Sequence, residues 1–486
     1  MNFLFVILSA ALFVAPLFNT GVYFLGWVAL IPFLYVIKNK KQNEIILYSW
    51  FLGMLIMAGS CYWLYYPVAL HSPIPGPVAA LLVMILFVLL GLFYAFWGYL
   101  YSVIKSRQGF YPFILAFSWT GIEFIRYYFL TALPFGFLGY TQHGYNSLLQ
   151  FAEIGGVFLV SFIVLLINGY IYSILFLRNK KAFFVLTIIL IAITAVGTLR
   201  YYQIANKNYD KLSAGVVSTA VSQEDKWRPE MVENNLKKIS ELAVNLSEKT
   251  LIITPETSLT FDLIRNNYYR EMFFEQIEEI DSYIIAGSLA LGPEDEIYNT
   301  SFLLAPNKEI LDLYRKNALV PFGEYLPLED VLKNIVNLNI SSQAPGQKVT
   351  KFETDYAFWI SPICSEILNP DFLRNNTADT DFIINQSNEA WFGISNLQEQ
   401  MWTAAVFRAV ENRRAVIKAG NFAFSGLIHP SGQTLSRTDP GEIAATEVDI
   451  VLNNTETFYQ KGGNWIGLIS VFLILMFVSI KSYKYN

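Results

Sequence analysis

The sequence predicts a polytopic α-helical membrane domain that carries a layered α/β domain on the outer face of the membrane. Of its 486 residues, 54% are hydrophobic and 16% are aromatic, which is more than an ordinary soluble protein contains. Long runs nearly free of charge flank a single polar insert. Within that insert, short β-branched runs alternate with amphipathic helical patterns, which is typical of layered α/β domains.

Eight apolar runs predict eight membrane-spanning helices, because most reach the roughly 20 residues that a helix needs to cross hydrocarbon. The first run has no basic segment before it, so we interpret it as a retained span and not as a cleaved signal peptide. The predicted domains are a seven-helix membrane domain (1–200), the insert (201–463), and an eighth helix with a tail (464–486). The runs cover about 2–18, 20–37, 45–66, 77–104, 110–130, 149–177, 182–199 and 464–480.

The basic residues of the short connections predict the orientation, because Lys and Arg are retained on the cytoplasmic side. The alternate connections, 67–76 and 131–148, contain neither. Both termini are therefore predicted to be cytoplasmic, and the insert is predicted to face outward. The basic residues concerned are Lys38, Lys40, Lys41, Lys105, Arg107, Arg178, Lys180, Lys181, Lys481 and Lys484.

The insert is strongly acidic, because it holds every acidic residue of the chain except Glu44, Glu123 and Glu153. Such a charge argues against nucleic acid as a partner. Of the two cysteines, Cys61 falls within the third apolar run, where a small packed side chain is expected, and Cys364 lies in the insert. A disulfide between them is not expected, so Cys364 is predicted to be a free thiol.

Apolar β-branched strings predict the strands of the insert: LSAGVVST, TLIITPE, YIIAGSLAL, SFLLAP, YAFWISPIC, DFIINQS, AVIKAGNFAFSGLIHP and IAATEVDI. Two helices are predicted between them. MVENNLKKISELAVNL places Leu236, Ile239 and Leu246 on one face, and LQEQMWTAAVFRAVENRR places Met401 and Ala405 on one face.

Three predicted strand ends carry reactive side chains: ITPE ends in Glu256, LYRK in Lys316 and SPIC in Cys364. A thiol needs a base to become a thiolate, and a carboxylate sheltered from water can accept that proton. An adjacent ammonium lowers the thiol pKa and stabilises the oxyanion that forms when a thiolate attacks a carbonyl. Each residue alone has ordinary alternatives, a turn for the acid and a solvated surface for the lysine.

The chain resembles the apolipoprotein N-acyltransferase family over nearly its whole length. This resemblance implies a nitrilase-like αββα sandwich carried on eight membrane helices in the bacterial cytoplasmic membrane, with the catalytic domain on the periplasmic side. The most specific string is YRKNALVPFGEYLPLED, followed in order by PICSEI and SNEAWFG. The other matching strings are PFGFLGYTQ, LLQFAEIGGVFLVSF, PET, RAVENRR and TFYQKGGNW.

By this resemblance, the family's catalytic triad falls on Glu256, Lys316 and Cys364, the positions that the chemistry also selects. Glu324 in PFGEY and Glu366 in ICSE match acids that support the site. The alternatives are that Glu324 caps a loop and that Glu366 holds a backbone turn. Trp227 in EDKWRP corresponds to a tryptophan near the catalytic lysine, and the alternative is a plain core residue.

The chain departs from the family pattern at several positions. Ser365 follows the cysteine where the family has an aromatic residue, although its main chain can still contact an oxyanion. The family's SND is SNE here, with Glu389, and Ser218 and Ala220 replace an expected Gln and Asn. These changes leave the triad intact, so they bear on rate and substrate preference more than on reaction type.

The resemblance implies a phospholipid as acyl donor and the α-amino group of an S-diacylglyceryl cysteine at a lipoprotein N-terminus as acceptor. It implies ping-pong chemistry through a cysteine thioester, in a monomer, without a metal or cofactor. Since water would hydrolyse a thioester, apolar cover is expected over the site. The cover or lid residues expected are Phe322, Trp391, Phe392 and the segment from Phe261 to Phe274, which includes Tyr268, Tyr269 and Phe273.

In the membrane part, Glu123 and Arg126 lie three residues apart, so they can pair on one helix face, at a lipid entrance or as a structural pair in which Arg126 snorkels. Two rival functions remain. A membrane-tethered amidase or nitrilase would keep the triad and release its product to water. A silent lipoprotein-handling or transport protein would not need Cys364. The three histidines are too dispersed to favour a zinc site or a Ser-His-Asp triad.

Overall fold

The computed structural model describes residues 1–108, 111–130, 133–326 and 342–483. Backbone contacts divide the chain into two compact units: Met1–Leu70 with Ile74–Asn206 and Thr457–Asn486, and His71–Pro73 with Lys207–Glu456. Lys484 of the predicted tail and the PLED end of YRKNALVPFGEYLPLED lie outside the described residues.

The first unit is helical, and helices occupy all eight of the predicted apolar runs. Among the described residues, five helical segments are long and apolar enough to cross a membrane by length and composition: Thr20–Ile37, Gln42–Leu70, Gly76–Lys105, Ala152–Leu177 and Lys180–Ala205. The first and last runs form shorter apolar helices, and the fifth run forms a helix that carries Glu123 and Arg126. The α-helices are Asn2–Phe18, Ile31–Ile37, Gln42–Cys61, Tyr65–Leu70, Gly76–Gln108, Pro112–Phe129, Asn146–Leu149, Ala152–Leu177, Lys180–Ala205, Phe458–Gly462 and Trp465–Tyr483.

Glu123 and Arg126 do not pair with each other among the described residues, which corrects the pairing expected from their spacing. Glu123 accepts hydrogen bonds from the Trp119 indole (3.1 Å) and the Leu138 amide (2.9 Å). Arg126 donates to the Gly136 carbonyl (3.3 Å) and is fully buried, so it does not snorkel. Both side chains therefore hold the PFGFLG segment in place, which favours the structural alternative.

The second unit contains all thirteen strands of the described chain. They are β1 Lys211–Ser218, β2 Leu251–Ile253, β3 Leu259–Asp262, β4 Tyr283–Leu291, β5 Ile297–Leu304, β6 Ile310–Arg315, β7 Lys351–Glu353, β8 Phe358–Ile360, β9 Phe382–Asn388, β10 Ala415–Asn421, β11 Ser425–Ile428, β12 Thr434–Thr438 and β13 Ala444–Val451. Its α-helices are Gln223–Lys226, Val232–Val244, Asn267–Gln276, Pro370–Asn376 and Leu397–Asn412.

The strands form two sheets. One has the order β13-β1-β2-β4-β5-β6, with β3 beside β4, and the other has the order β12-β11-β10-β9-β8-β7. Strands β1, β2 and β4 are mutually parallel, and so are β8, β9 and β10. A parallel bridge between Thr219 and Asn421 joins the carboxyl ends of β1 and β10, so the ends of the parallel strands of both sheets lie together.

The buried side chains of the strands form two apolar cores, one on each face of a sheet, because successive side chains of a strand point to opposite faces. Ile253 and Ile285 pack between the sheets with residues of β8, β9 and β10. Their neighbours Ile252 and Ile284 pack on the other face with the helices Val232–Val244 and Asn267–Gln276. The helix Leu397–Asn412 packs on β10 and β11. The four layers are helix, sheet, sheet and helix, which confirms the predicted nitrilase-like sandwich.

Some elements differ from the predicted pattern. The helix Leu397–Asn412 is buried on all sides except at Glu399, although its sequence predicts one apolar face. Strands β3, β7 and β12 were not predicted, because β3 has four residues, β7 has three, two of them exposed and charged, and β12 is largely polar. A short strand is ordered mainly by its neighbours, so its own pattern carries little signal.

Gly287 in β4 lets the ITPE turn approach the sheet. A Cβ atom at this position would lie 2.3 Å from the Pro255 carbonyl oxygen and 2.8 Å from the Thr257 amide nitrogen. Both contacts are with backbone atoms, which cannot rotate away. The close approach of the turn that carries Glu256 therefore requires glycine at this position.

Gly287→Ala is expected to lower the free energy of unfolding by about 1 to 3 kcal/mol, because the added methyl group overpacks the turn. Chemical unfolding of the detergent-solubilised protein measures this. Gly323→Ala is the control, since among the described residues its Cβ would meet ordinary contacts at 3.5 Å and beyond. Equal stability of the two variants would contradict the argument.

Candidate active site

Glu256 lies in the turn after β2, and both of its carboxylate oxygens are held. Oε1 accepts a hydrogen bond from the Asn299 side-chain amide at 2.6 Å, and Oε2 accepts one from the Asn388 backbone amide at 2.6 Å. The residue is 6% exposed. Strand ends from both sheets thus fix the carboxylate, since Asn299 belongs to β5 and Asn388 ends β9.

Lys316 follows β6, and its side chain is buried. Its ammonium donates to Glu324 Oε1 at 2.7 Å and lies 4.0 Å from Glu256 Oε1. Burial lowers the pKa of this amine, but the interactions with Glu324 and the other acidic groups of the site outweigh burial and raise the pKa above its usual value. Lys316 is therefore a permanently charged donor between two carboxylates.

Glu324 performs both of the roles that the sequence left open. One oxygen accepts from Lys316, and the other accepts from the Val320 backbone amide at 2.8 Å. The second bond caps the loop that carries PFGEY. The loop cap and the contact with Lys316 are therefore made by one carboxylate.

Cys364 begins the 3-10 helix Cys364–Leu368 and has a φ of +52°, which is rare for a residue other than glycine. The thiol is partly buried and unpaired. Asn385 fixes the backbone on either side by donating to the carbonyls of Pro362 (2.9 Å) and Cys364 (3.2 Å). The amide of Ser365 lies in the first turn, where N–H groups have no partner within the helix.

Electrostatics keep the resting thiol protonated. Burial raises the pKa of Cys364 well above its usual value; the Glu256 charge raises it further, and Lys316 opposes this. A thiol in this state needs a base to become a nucleophile. Glu256 and Lys316 are the two ionised groups that act on it most strongly. The arrangement can move a proton from sulfur to a carboxylate beside a fixed ammonium.

Glu366 connects the loop after Lys316 to the loop before Cys364. Oε1 accepts hydrogen bonds from the backbone amides of Asn317 (2.8 Å) and Ala318 (2.9 Å). Oε2 accepts from the Ile363 amide at 2.8 Å, and the Tyr314 hydroxyl donates to the carboxylate at 2.7 Å. The side chain is fully buried, and burial raises its pKa. It holds a backbone turn, as one alternative proposed, but the turn it holds joins two site loops.

The predicted cover residues are placed in different environments. Phe322 is 62% exposed beside the Lys316 loop, and Trp391 and Phe392 are half-buried in the 3-10 helix after β9. Trp227 is 42% exposed, which argues against a plain core residue. No contact between Trp227 and Lys316 is found among the described residues.

The predicted lid segment divides into core and surface residues. Phe261 and Phe273 are buried in the core that faces the helices, and Tyr269 packs against it. Tyr268 is exposed, and its hydroxyl donates to Glu233 at 3.2 Å. Core packing is therefore the better description for Phe261 and Phe273.

Sequence reasoning missed three groups that hold Glu256: Asn299, Asn388 and Lys226. Lys226 donates to the Glu256 backbone carbonyl at 2.9 Å and is 3% exposed. The sequence feature that could have identified Lys226 is its position directly before Trp227 in EDKWRP, a string that matches the family. Asn388 lies in SNE, the string in which Glu389 departs from the family pattern.

Glu389 forms a buried ion pair with Lys418, which also donates to the Ser387 hydroxyl at 2.6 Å. Burial raises the pKa of Glu389, while the charge of Lys418 opposes that shift. The longer acid in SNE is therefore accommodated by a lysine on the neighbouring strand. Its charge also acts on Cys364.

Comparison with known proteins identifies the family. The carbon-nitrogen hydrolase family model matches residues 218–460, half of the chain. The chain belongs to the carbon-nitrogen hydrolase family. Residues 9–170 of this carbon-nitrogen hydrolase chain match a second family model, the apolipoprotein N-acyltransferase N-terminal domain.

Curated relatives match most of the length of this carbon-nitrogen hydrolase chain. A protein of Geobacter metallireducens is 26% identical over 95% of this chain and 92% of its own length, and it is named apolipoprotein N-acyltransferase. A protein of Rickettsia bellii with the same name is 28% identical over 79% of this chain and 78% of its own. The resemblance inferred from the motifs is thus confirmed.

Glu366→Gln is expected to destabilise the catalytic unit by about 1 to 3 kcal/mol, because an amide group would face backbone N–H groups that need acceptors. It should also slow alkylation of Cys364, since the two site loops lose their common anchor. Thermal unfolding and iodoacetamide kinetics measure the two effects. Glu399→Gln is the control, because the ion partner of Glu399 within the described part of the chain is Arg437, outside these two loops. Wild-type alkylation in Glu366→Gln would disprove the anchoring role.

Proposed function

We propose that this protein is an apolipoprotein N-acyltransferase. It transfers an acyl chain from a phospholipid to the α-amino group of the S-diacylglyceryl cysteine at a lipoprotein N-terminus. The observation that carries the proposal is the occurrence, on one chain, of a buried Glu, Lys and Cys site in a carbon-nitrogen hydrolase domain and of that acyltransferase family's N-terminal domain. The name shared by relatives that match most of this chain supports the same conclusion.

In the first half-reaction, Glu256 accepts the proton of Cys364 while the sulfur attacks the ester carbonyl carbon of the phospholipid. The carbonyl oxygen becomes an oxyanion, which the Lys316 ammonium and the Ser365 amide stabilise. Collapse of this intermediate breaks the ester bond. The lysophospholipid oxygen leaves with the proton held by Glu256, and the acyl chain stays on Cys364 as a thioester.

In the second half-reaction, the neutral α-amine of the lipoprotein attacks the thioester carbon. Glu256 accepts a proton from the attacking nitrogen, and the same two donors stabilise the second oxyanion. Collapse breaks the carbon–sulfur bond, and the proton returns from Glu256 to Cys364. The products are the N-acylated lipoprotein and the resting thiol.

Supporting residues act through these groups. Glu324 keeps Lys316 charged and directed, and Glu366 holds the Lys316 and Cys364 loops in register. Phe322, Trp391 and Phe392 provide apolar cover that keeps water from the thioester, and Trp227 and Tyr268 offer further aromatic surface. The protein acts as a monomer, with both termini cytoplasmic and the catalytic unit on the periplasmic face of the inner membrane.

The decisive experiment incubates purified protein with phospholipid labelled in its acyl chains. Mass spectrometry is expected to find one acyl group on Cys364, which a diacylglyceryl peptide then removes with formation of an amide. Cys364→Ala should abolish labelling, whereas Cys61→Ala should retain it. If only water removes the acyl chain, the protein is a hydrolase. If Cys364 is never acylated, the proposal fails.

Glu256→Gln should make the acylation rate strongly dependent on pH. Because burial raises the pKa of Cys364, the thiol is neutral at pH 7 and the variant has no base to ionise it. The rate should be low at pH 7 and rise about tenfold per pH unit while the thiolate remains the minor form. Labelling reactions that are quenched at fixed times, from pH 6 to 10, measure the acylation rate. A flat profile in the variant would exclude Glu256 as the base.

Lys316→Met should reduce the acylation rate by about 10² to 10³-fold, which is the range for loss of one oxyanion donor. The variant also leaves Glu324 without its partner, so Glu324→Gln in the same chain serves as the control for that unpaired charge. A rate that recovers in the double variant would mean that Lys316 acts only by neutralising Glu324.

A further inference from the structure

The backbone beside Glu256 adopts an unfavourable conformation. Thr257 is β-branched and has a φ of +45°, a region that such residues rarely occupy. A conformation of this kind persists only where neighbouring groups determine it. The orientation of the peptide between Glu256 and Thr257 determines the direction in which the Glu256 side chain points from the turn. This peptide must therefore be held in place.

The ends of this turn are held by several groups. The Thr254 amide donates to the Ile285 carbonyl at 3.0 Å, Gln386 donates to the Thr254 carbonyl at 2.7 Å, and the hydroxyls of Thr254 and Ser258 are 2.8 Å apart. The Glu256 carbonyl at its centre is different. Among the described residues, its one hydrogen-bond donor is the Lys226 ammonium, at 2.9 Å.

Lys226 is itself fixed by its surroundings. It ends the helix Gln223–Lys226, which Ser222 caps by accepting from the Asp225 amide at 3.1 Å. Gln223 of the same helix accepts from the Asn388 side chain at 3.0 Å, and Asn388 donates its backbone amide to the Glu256 carboxylate. The helix therefore reaches Glu256 from two directions, at its carbonyl and at its carboxylate.

We propose that Lys226 is a positioning residue for the catalytic base, and that its ammonium holds the Glu256–Thr257 peptide so that the Glu256 carboxylate faces the Cys364 thiol. This inference rests on the proposed function in assigning the base to Glu256. Lys226 does not touch a substrate or exchange a proton. It acts through the orientation of Glu256, and its loss leaves the carboxylate present but misdirected.

The electrostatics of the amine agree with this geometry. Burial lowers the pKa of Lys226 to about 8, and the charge of Glu256 acts in the opposite direction. At pH 7 the amine is therefore mainly an ammonium and can donate. A buried charge is costly to maintain unless it is paired or hydrogen-bonded. The Lys226 ammonium has the Glu256 backbone carbonyl as its hydrogen-bond acceptor, and the charge of the Glu256 carboxylate also acts on it.

The test uses the rate of Cys364 alkylation by iodoacetamide at pH 7, which needs no phospholipid. All variants carry Cys61→Ala, so that Cys364 is the single cysteine. Lys226→Met should slow alkylation about 10- to 100-fold, the effect expected from a misplaced catalytic group. Lys308→Met is the matched control, because Lys308 also donates to backbone carbonyls, those of Ile280 and Pro306, outside the site. Its rate should stay within about twofold of the parent.

A double variant separates positioning from general damage. If Lys226 acts through Glu256, then Lys226→Met should not slow alkylation further in a chain that already carries Glu256→Gln. An equal loss in both backgrounds would overturn the proposal, and so would a parent-like rate in Lys226→Met. If Lys226→Met does not fold, as judged by thermal unfolding, Lys226→Gln carries the same expectations, since its side chain is too short to reach the carbonyl.

The outcome is independent of the acyl donor. If the parent protein shows no acylation by phospholipid, the proposed function fails, while the alkylation rates still report whether Lys226 aligns the base. If acylation does occur, Lys226→Met should lower its kcat with little change in KM. A change in KM alone would indicate a role in substrate binding and would contradict the positioning role.

Discussion

The buried carboxylate of Glu366 is the connection on which the site depends. Lys316 follows β6 and Cys364 follows β8, which are strands of different sheets, so no pairing between strands holds the two residues together. Three backbone amides from these two loops converge on one carboxylate, and the Tyr314 hydroxyl completes the set. Since each buried N–H needs an acceptor, the loops cannot separate without leaving several donors unpaired.

The site also depends on a balance of buried charge. Lys226 donates to the Glu256 carbonyl, Lys316 to the Glu324 carboxylate and Lys418 to the Glu389 carboxylate. A lone buried ion would be too costly to retain its charge, whereas charges of opposite sign at short range make the ionised state accessible. The neutral thiol of Cys364 lies within the field of several of these groups. Its reactivity therefore depends on the whole set and not on one neighbour.

The alternating pattern predicted a layered α/β domain in which Glu256, Lys316 and Cys364 each follow a strand, and the structure places each of them after a strand. Alternation of Ile252, Ile253, Ile284 and Ile285 distributes apolar side chains to both faces of a sheet, and that pattern is local. Contacts through the backbone were not predictable. Lys226 bonds a carbonyl, and Asn388 uses its main-chain amide, so neither contact needs a recognisable partner residue. Glu123 and Arg126 show the same limit, since each binds a backbone group of a distant segment instead of the other.

Three non-glycine residues with left-handed backbone angles adjoin the reactive groups: Thr257 after Glu256, Phe322 before Glu324, and Cys364 itself. Each such residue costs of order 1 kcal/mol relative to glycine or to an extended conformation. Glycine would relieve that cost, but it would remove the thiol of Cys364 and would let the backbone beside Glu256 and Glu324 adopt other conformations. Thermal stability and reactivity therefore favour different residues at these three positions, and the apolar cores of the domain, against one of which Cys364 packs, offset the strain.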